Sequence, residues 1–208
     1  MANNFASFYQ MFNALSTVGK SRFVEWFDGN DLSAIWTITD TGASSGAMSD
    51  VIDAGYKITT GTASSDRREI SFNQKRNFSN TSSTFIVEML LGQTTLCVMY
   101  GGFMDNTQVA FANQAVWAYD SSISANYTLT TFNVSQTDVN SNFVADTNWH
   151  VFSAVLGASS VTGKIVGANI TTNSSTLPTA KLQPHFQVRT RTTVAKTGNI
   201  RYLEAYNT

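Results

Sequence analysis

The alternation of side chains in the last quarter of the chain is the feature that most restricts its fold. Three runs there place two kinds of side chain at alternate positions: residues 149–156, 182–191 and 199–206. A period of two is the pattern of a β-strand that is half buried in a core. In the middle run Phe186 and Val188 share one face, while Gln187, Arg189 and Arg191 share the other. Because isolated strands leave their edges unpaired, these strands need partners from earlier in the chain.

The composition favours the same interpretation. Charged residues make up 13% of the 208 residues and the net charge is −1. The polar surface must therefore be carried by Ser, Thr and Asn, which are roughly a third of the chain and far above their usual share. Thr favours strands, and Ser and Asn favour turns. The small net charge argues against a nucleic-acid partner, and no run of about 20 apolar residues predicts a membrane span.

Strand-like runs separated by turns continue through most of the chain. The runs before residue 149 are 22–27, 35–38, 56–60, 69–72, 85–91, 96–103, 109–111, 116–119 and 127–134. Their spacing is typical of an antiparallel sandwich. Neither an interior helix nor a linker that would mark a domain boundary is evident. We therefore predict an all-β fold in which residues 21–208 form one antiparallel β-sandwich.

The first 20 residues predict a different element, a short amphipathic helical arm. Its aromatic and aliphatic side chains recur at helical spacing: Phe5, Phe8, Tyr9, Phe12 and Leu15. No charged side chain lies between Met1 and Lys20, so this helix must bury its apolar face against something. Two alternatives remain open: the arm closes one end of its own sandwich, or it docks on a neighbouring subunit in an assembly. The lack of basic residues on its polar face disfavours a membrane-surface helix.

Several short motifs resemble a known family. Residues 36–38, Trp-Thr-Ile followed by a glycine-rich turn, and residues 149–152, Trp-His-Val-Phe, resemble concanavalin A-like (lectin/glucanase) jelly rolls. Residues 182–190 and 201–204 resemble the final strands of such domains in viral and phage structural proteins. The resemblance covers about residues 22–207 and implies two curved antiparallel sheets stacked face to face. It does not fix a function, because lectins, glycosidases, sugar-binding modules and virion components share this fold.

Glycosidase chemistry is not predicted by the acidic residues. Glycosidases of this fold carry paired carboxylates a few positions apart on one central strand, since the acid and the nucleophile must flank one bond. Glu88 is alone in its strand-like run, and Glu69 is accompanied only by Asp66, which is predicted to lie on a loop. We therefore predict that the chain is not an enzyme.

The sequence offers one candidate metal site and one thiol. Asp28, Asn30 and Asp31 form an oxygen-rich turn of the kind that binds calcium, although the same residues are ordinary turn formers. No other cofactor is predicted. Cys97 is the only cysteine, which excludes an internal disulfide, and its apolar neighbours predict a buried, inert thiol.

The leading hypothesis from the sequence is a structural virion protein that acts as a capsid, decoration, fibre or tail component. It would be made in the host cytoplasm, since no signal peptide is evident, and would assemble with other copies of itself and with other virion proteins. The alternative is a carbohydrate-binding module or lectin that binds glycans, for example at a cell surface, on its concave sheet face. The candidate glycan-binding residues are Trp117, Tyr119, Tyr127, Trp149, Arg189 and Arg191.

Overall fold

Two antiparallel β-sheets form the fold in the computed structural model of the chain. The structure describes residues 22–28, 31–48, 55–72, 77–106 and 112–208. The strands in these ranges are β1 (Arg22–Trp26), β2 (Thr37–Thr41), β3 (Ser45–Met48), β4 (Tyr56–Thr59), β5 (Arg67–Ser71), β6 (Ser83–Leu91), β7 (Cys97–Met104), β8 (Asn113–Asp120), β9 (Asn126–Asn133), β10 (Ser135–Val144), β11 (His150–Leu156), β12 (Val161–Ile165), β13 (Ile170–Asn173), β14 (Gln183–Thr190) and β15 (Thr197–Asn207).

Eight strands form the first sheet, in the order β13-β12-β11-β6-β15-β4-β3 with β1 added beside β15. β15 is long enough to have two partners on the same side. Its first half pairs with β4, and its second half pairs with β1. A register shift between Ile200 and Tyr202 separates the two halves on the β6 side. β15 therefore pairs with β1 on one side and with β6, near the centre of this sheet, on the other.

Seven strands form the second sheet, in the order β10-β9-β8-β7-β14-β5-β2. β7 and β14 lie at its centre and pair over eight positions, from Met104 opposite Gln183 to Cys97 opposite Thr190. All neighbours in this sheet are antiparallel.

The core lies between the two sheets and is built from alternate residues of the strands. On β6, Phe85, Val87, Met89 and Leu91 are fully buried, while Ile86 and Glu88 between them are partly exposed. Burying one such side chain contributes about 1.5–3 kcal/mol. The period-two pattern in the sequence thus fixes which face of β6 packs against the seven-stranded sheet.

A close approach between the sheets explains one glycine. A Cβ atom at Gly163 of β12 would lie 2.6 Å from Cζ2 of Trp117 on β8. That separation is shorter than van der Waals contact, so only glycine permits the indole ring to lie against β12 at this point.

The predicted fold class is confirmed: the described chain is an all-β antiparallel sandwich, and no helix occurs in its described ranges. Residues 45–48, which no predicted strand covers, form β3, and the polar run 135–144 forms β10, which was not predicted either. The predicted arm, with Phe5, Phe8, Tyr9, Phe12 and Leu15, lies outside the described residues, as does the predicted strand 109–111. In the ranges that the structure covers, nothing has the helical length and apolar content that crossing a bilayer demands.

Candidate functional site

The outer face of the seven-stranded sheet is the side that points away from the core. On β14 the inward side chains include Phe186 and Val188, and the outward ones include His185, Gln187 and Arg189. The sequence predicts this alternation and predicts a half-buried strand. The structure agrees on the two faces but differs on burial: His185 and Gln187 are both 0% exposed.

Strand register brings polar side chains from β5 and β14 together on this outer face. Glu69 lies opposite Gln187, and Ser71 lies opposite His185. On the other side of β14, Tyr100 lies opposite Gln187. Side chains paired in this way on one face are about 5 Å apart at Cβ, and diagonal neighbours are within reach of longer side chains.

Glu69 and His185 form the most enclosed polar pair of this face. His185 Nε2 lies 3.3 Å from Glu69 Oε2, and both side chains are 0% exposed. The other ring nitrogen, His185 Nδ1, has no hydrogen-bond partner among the described residues. A carboxylate hydrogen-bonded to an imidazole is an arrangement that general acid–base catalysis uses where a substrate can reach it.

Two glutamines on the same face leave their amide groups unpaired. Neither the nitrogen nor the oxygen of the Gln187 and Gln114 side chains has a hydrogen-bond partner in the described part of the chain. Leaving a buried polar group unpaired costs about 1–3 kcal/mol. Such groups in a folded protein call for an explanation, and a binding site for a polar ligand is one.

An apolar patch borders these polar groups. Val98, Tyr100, Val116 and Ala118 form a second buried cluster, separate from the main core, on the outer face of β7 and β8. Burial raises the pKa of Tyr100 to about 12, so its phenol keeps its proton and can donate a hydrogen bond at neutral pH. The outer face of these strands therefore combines a buried apolar cluster with hydrogen-bonding groups, a combination that binding sites for organic ligands also contain.

Arginines line one end of the outer face. Arg189 of β14 lies opposite Arg67 of β5 on one side and opposite Val98 of β7 on the other. Arg191, just beyond β14, forms an ion pair with Asp120 at the end of β8. Burial lowers the pKa of Arg189 from its ordinary value, and the nearby charge of Arg191 lowers it further.

The structure corrects the aromatic part of the predicted glycan site. Trp117, Tyr119 and Tyr127 lie in the main core, at 0%, 3% and 0% exposure, so their rings cannot stack on a sugar. Trp149 is partly exposed, but it lies against Arg201 of the eight-stranded sheet, with Arg201 Cζ 4.6 Å from the ring centroid. Of the six predicted residues, Arg189 alone extends from the outer face within a strand of the seven-stranded sheet, and Arg191 follows it.

Glu69, His185, Gln187 and Gln114 were not predicted as site residues. The sequence feature that could have indicated them is that polar residues occupy the outward positions of β5, β8 and β14, where the two glutamines carry no charge and Glu69 contacts His185. That signal needs the strand register, because the four residues come from three separate parts of the chain.

The carboxylates of the outer face do not form a closely spaced pair. On its described strands the other carboxylates are Asp120, three strands from Glu69, and Asp138, five strands away. At about 4.8 Å per strand these separations are about 14 and 24 Å, whereas the two carboxyl groups of a glycosidase lie about 5–9.5 Å apart. Glu88 is on the opposite side of the molecule, paired with Arg201.

The predicted calcium turn is only partly described. Asp28 and Asp31 are in the described ranges, and Asn30 lies outside them. Among the described residues no group of three or more His, Cys, Asp or Glu side chains is placed to hold a metal ion.

The topology defines a concanavalin A-like jelly roll, and comparison with solved structures agrees. The fold is similar to a protein of unknown function from Shewanella oneidensis MR-1, with a TM-score of 0.68 and 10% identity, covering 95% of this chain and 93% of that one. It is also similar to the β-glucanase of Bacillus licheniformis, with a TM-score of 0.64 and 11% identity over 90% and 98% of the two chains. A third similar structure is a transglycosylase in its apo form, with a TM-score of 0.63 and 13% identity over 90% and 84%.

Sequence comparison adds no relative. No family model matches the chain, and no curated protein matches it. At 10–13% identity the structural likenesses establish the shared fold and leave the activity to be argued from the site.

These comparisons correct the predicted function. The prediction of a non-enzymatic virion protein is contradicted, because the similar folds include a glycosidic hydrolase, β-glucanases and a transglycosylase. The physical basis of the error is that a low-charge, Ser/Thr/Asn-rich sandwich is compatible with either role. A pattern of two carboxylates on one strand also cannot reveal the contact of Glu69 with His185, which depends on the pairing of β5 with β14.

Proposed function

We propose that this chain is a carbohydrate-active protein that binds a glycan on the outer face of the seven-stranded sheet and cleaves it there. The observation that carries the proposal is the Glu69–His185 pair, which is wholly buried beside Gln187, whose amide has no partner among the described residues. The resemblance of the fold to glycosidic hydrolases and a transglycosylase supports the same class of substrate.

The residues of this face match what a sugar presents. A glutamine amide offers two donor hydrogens and an acceptor oxygen. Gln187 and Gln114 are 0% exposed, so each bonds sugar hydroxyl groups only if substrate binding exposes its amide. Since a buried amide without a hydrogen-bond partner costs free energy, a glycan that bonds these amides recovers it.

Glu69 and His185 supply the acid–base chemistry of the proposal. The pair acts at one site: it donates a proton to the leaving glycosidic oxygen as water attacks the anomeric carbon, and it takes a proton back from that water. Positioned proton transfer of this kind contributes about 10²–10⁴-fold to a rate. Because both side chains are fully buried, the proposal requires that substrate binding exposes them.

The test is the release of new reducing ends from a panel of neutral and acidic polysaccharides. We expect release from at least one member of the panel, and we expect Glu69→Gln to abolish it. Glu88→Gln is the matched control, because it removes a carboxylate from the outer side of the other sheet. Equal activity of the Glu69→Gln variant and the unmodified chain would refute the assignment of Glu69.

Glycan recognition by the same face is a second candidate role. It is favoured by the spacing of the carboxylates, because Asp120 and Asp138 lie too far from Glu69 for the usual two-carboxylate mechanism. Retardation of the chain in polysaccharide gels, without release of reducing ends, would select this role. Retardation that Gln187→Ala removes would place recognition on the same face.

A further inference from the structure

We propose that Arg67 and Arg189 form a binding site for an anionic group of the glycan, so that the substrate is an acidic polysaccharide. The anionic group is a carboxylate of a uronic acid or a sulfate ester. This inference rests on the proposed glycan site, since it specifies the substrate class of that same face.

The two arginines face each other directly. Arg189 of β14 is the register partner of Arg67 of β5, and both side chains extend from the outer face. Like charges placed opposite each other on neighbouring strands destabilise a sheet. An anion held between the two guanidinium groups would convert that repulsion into attraction.

The other described arginines have carboxylate partners. Six arginines lie in the described ranges, and four of them form ion pairs: Arg22 with Glu204, Arg68 with Asp40, Arg191 with Asp120 and Arg201 with Glu88. Arg67 and Arg189 form no ion pair with any described residue. The unpaired arginines are therefore the two that lie side by side.

Nearby carboxylates are already engaged. Glu69, two positions from Arg67 on β5, contacts His185. Asp120 accepts hydrogen bonds from Arg191 and from Ser122. Within the described part of the chain, the positive charge at Arg67 and Arg189 is thus not neutralised by a direct partner.

Partial burial raises the free-energy cost of leaving these two guanidinium groups without a counterion. Nε of Arg67 is buried and has no hydrogen-bond partner among the described residues, and Arg189 is partly buried. A guanidinium keeps its charge at any ordinary pH, so desolvation cannot be relieved by loss of a proton. The planar guanidinium group matches carboxylate and sulfate oxygens through paired hydrogen bonds.

The position of the arginine pair connects it to the rest of the site. Arg67 and Glu69 are two residues apart on β5, and Arg189 and Gln187 are two residues apart on β14. Two residues of a strand span about 6.6 Å. A sugar whose anionic group is bound by the arginines therefore lies beside the Glu69–His185 pair.

Affinity electrophoresis tests the inference with three probes: polygalacturonate, dextran sulfate and a neutral β-1,3-1,4-glucan. We expect retardation by at least one anionic polymer and much weaker retardation by the neutral glucan. Arg189→Gln and Arg67→Gln should each weaken anionic binding about tenfold or more, as expected for loss of a bidentate charge-assisted bond. The comparison of polygalacturonate with dextran sulfate distinguishes a carboxylate site from a sulfate site.

Arg22→Gln is the matched control, because it removes one positive charge from the eight-stranded sheet. Equal losses of binding in Arg22→Gln and Arg189→Gln would overturn the inference, since net charge alone would then explain binding.

Stronger binding of the neutral glucan, with Glu69→Gln still abolishing its cleavage, would overturn the anionic site and leave the proposed function standing. Anionic binding that depends on both arginines but not on Gln187, without cleavage, would support the anion site and remove the proposed function. Thermal unfolding of each variant verifies that it is folded.

Discussion

Trp117 and Ser153 connect the two sheets through a hydrogen bond of 2.9 Å from the indole Nε1 to the Ser153 carbonyl oxygen. The ring itself is fully buried and lies against Phe152 and Gly163. The indole N–H of Trp117 therefore has a hydrogen-bond acceptor in the opposite sheet, which explains how a tryptophan can occupy this core position.

We predict that Trp117→Phe destabilises the fold by about 2–4 kcal/mol, because it removes this hydrogen bond and leaves a cavity. Gly163→Ala should also destabilise it, by about 1–3 kcal/mol, since the new methyl group would overlap the indole ring. Urea unfolding followed by fluorescence measures both changes.

Trp149→Phe is the control for this prediction, because Trp149 is only partly buried beside Arg201. Its free energy of unfolding should change by less than about 1 kcal/mol. A larger loss at Trp149 than at Trp117 would contradict the assignment of Trp117 to the core.

Trp117 also shows which part of the fold the sequence predicts and which part it does not. Apolar residues at every second position predicted the strands of the core, because one side of each strand must be buried. Whether Trp117 faced the core or a ligand could not be decided, since an aromatic ring at an alternate position is compatible with either. Strand β10 was missed because its polar residues, such as Gln136 and Asp138, do not alternate with apolar ones.

The candidate site was less predictable than the fold. Glu69 and His185 are 116 positions apart, and their contact depends on the pairing of β5 with β14. No local pattern encodes that pairing. Arg189 was predicted as a candidate from its outward position, but the lack of a described ion-pair partner becomes evident only when the partners of the other arginines are known.

We predict that Cys97 is inert in the folded chain. It is 1% exposed, and its Sγ lies 2.9 Å from the carbonyl oxygen of Gln93. Burial raises the pKa of this thiol to about 11, so very little thiolate forms at neutral pH. Iodoacetamide at about pH 8, where a free thiol of ordinary pKa is already reactive, should label Cys97 only after unfolding, as measured by intact mass spectrometry. Labelling at the same rate with and without denaturant would contradict this.

We predict that Asp120 contributes to stability at neutral pH and that acid removes its contribution. Burial alone would raise the pKa of Asp120, but hydrogen bonds from Arg191 and Ser122 outweigh it, so the pKa lies below its ordinary value of 3.8. A lowered pKa in the folded state stabilises the chain above the unfolded-state value, and this stabilisation is lost as the pH falls through the folded-state value.

Asp120→Asn tests that prediction. The variant should be less stable than the unmodified chain at about pH 7. The difference should shrink as the pH falls below 3.8 and through the lowered folded-state pKa of Asp120, because protonation then removes the charge that Asn lacks. Urea unfolding at a series of pH values measures it. A constant difference across the series would show that the ionised form of Asp120 is not what stabilises the fold.

The most direct test of the central claim is a nuclear magnetic resonance titration of side-chain amides with an oligosaccharide of whichever polysaccharide is bound. The account predicts that the amide signals of Gln187 and Gln114 shift on binding, because these groups have no hydrogen-bond partner among the described residues and would bond the sugar. The signal of Asn207, whose amide already donates to the carbonyl oxygen of Asn77, should stay unchanged. Shifts confined to Asn207 and the indole of Trp149, with Gln187 and Gln114 unaffected, would place the ligand outside the outer face of the seven-stranded sheet and contradict the account.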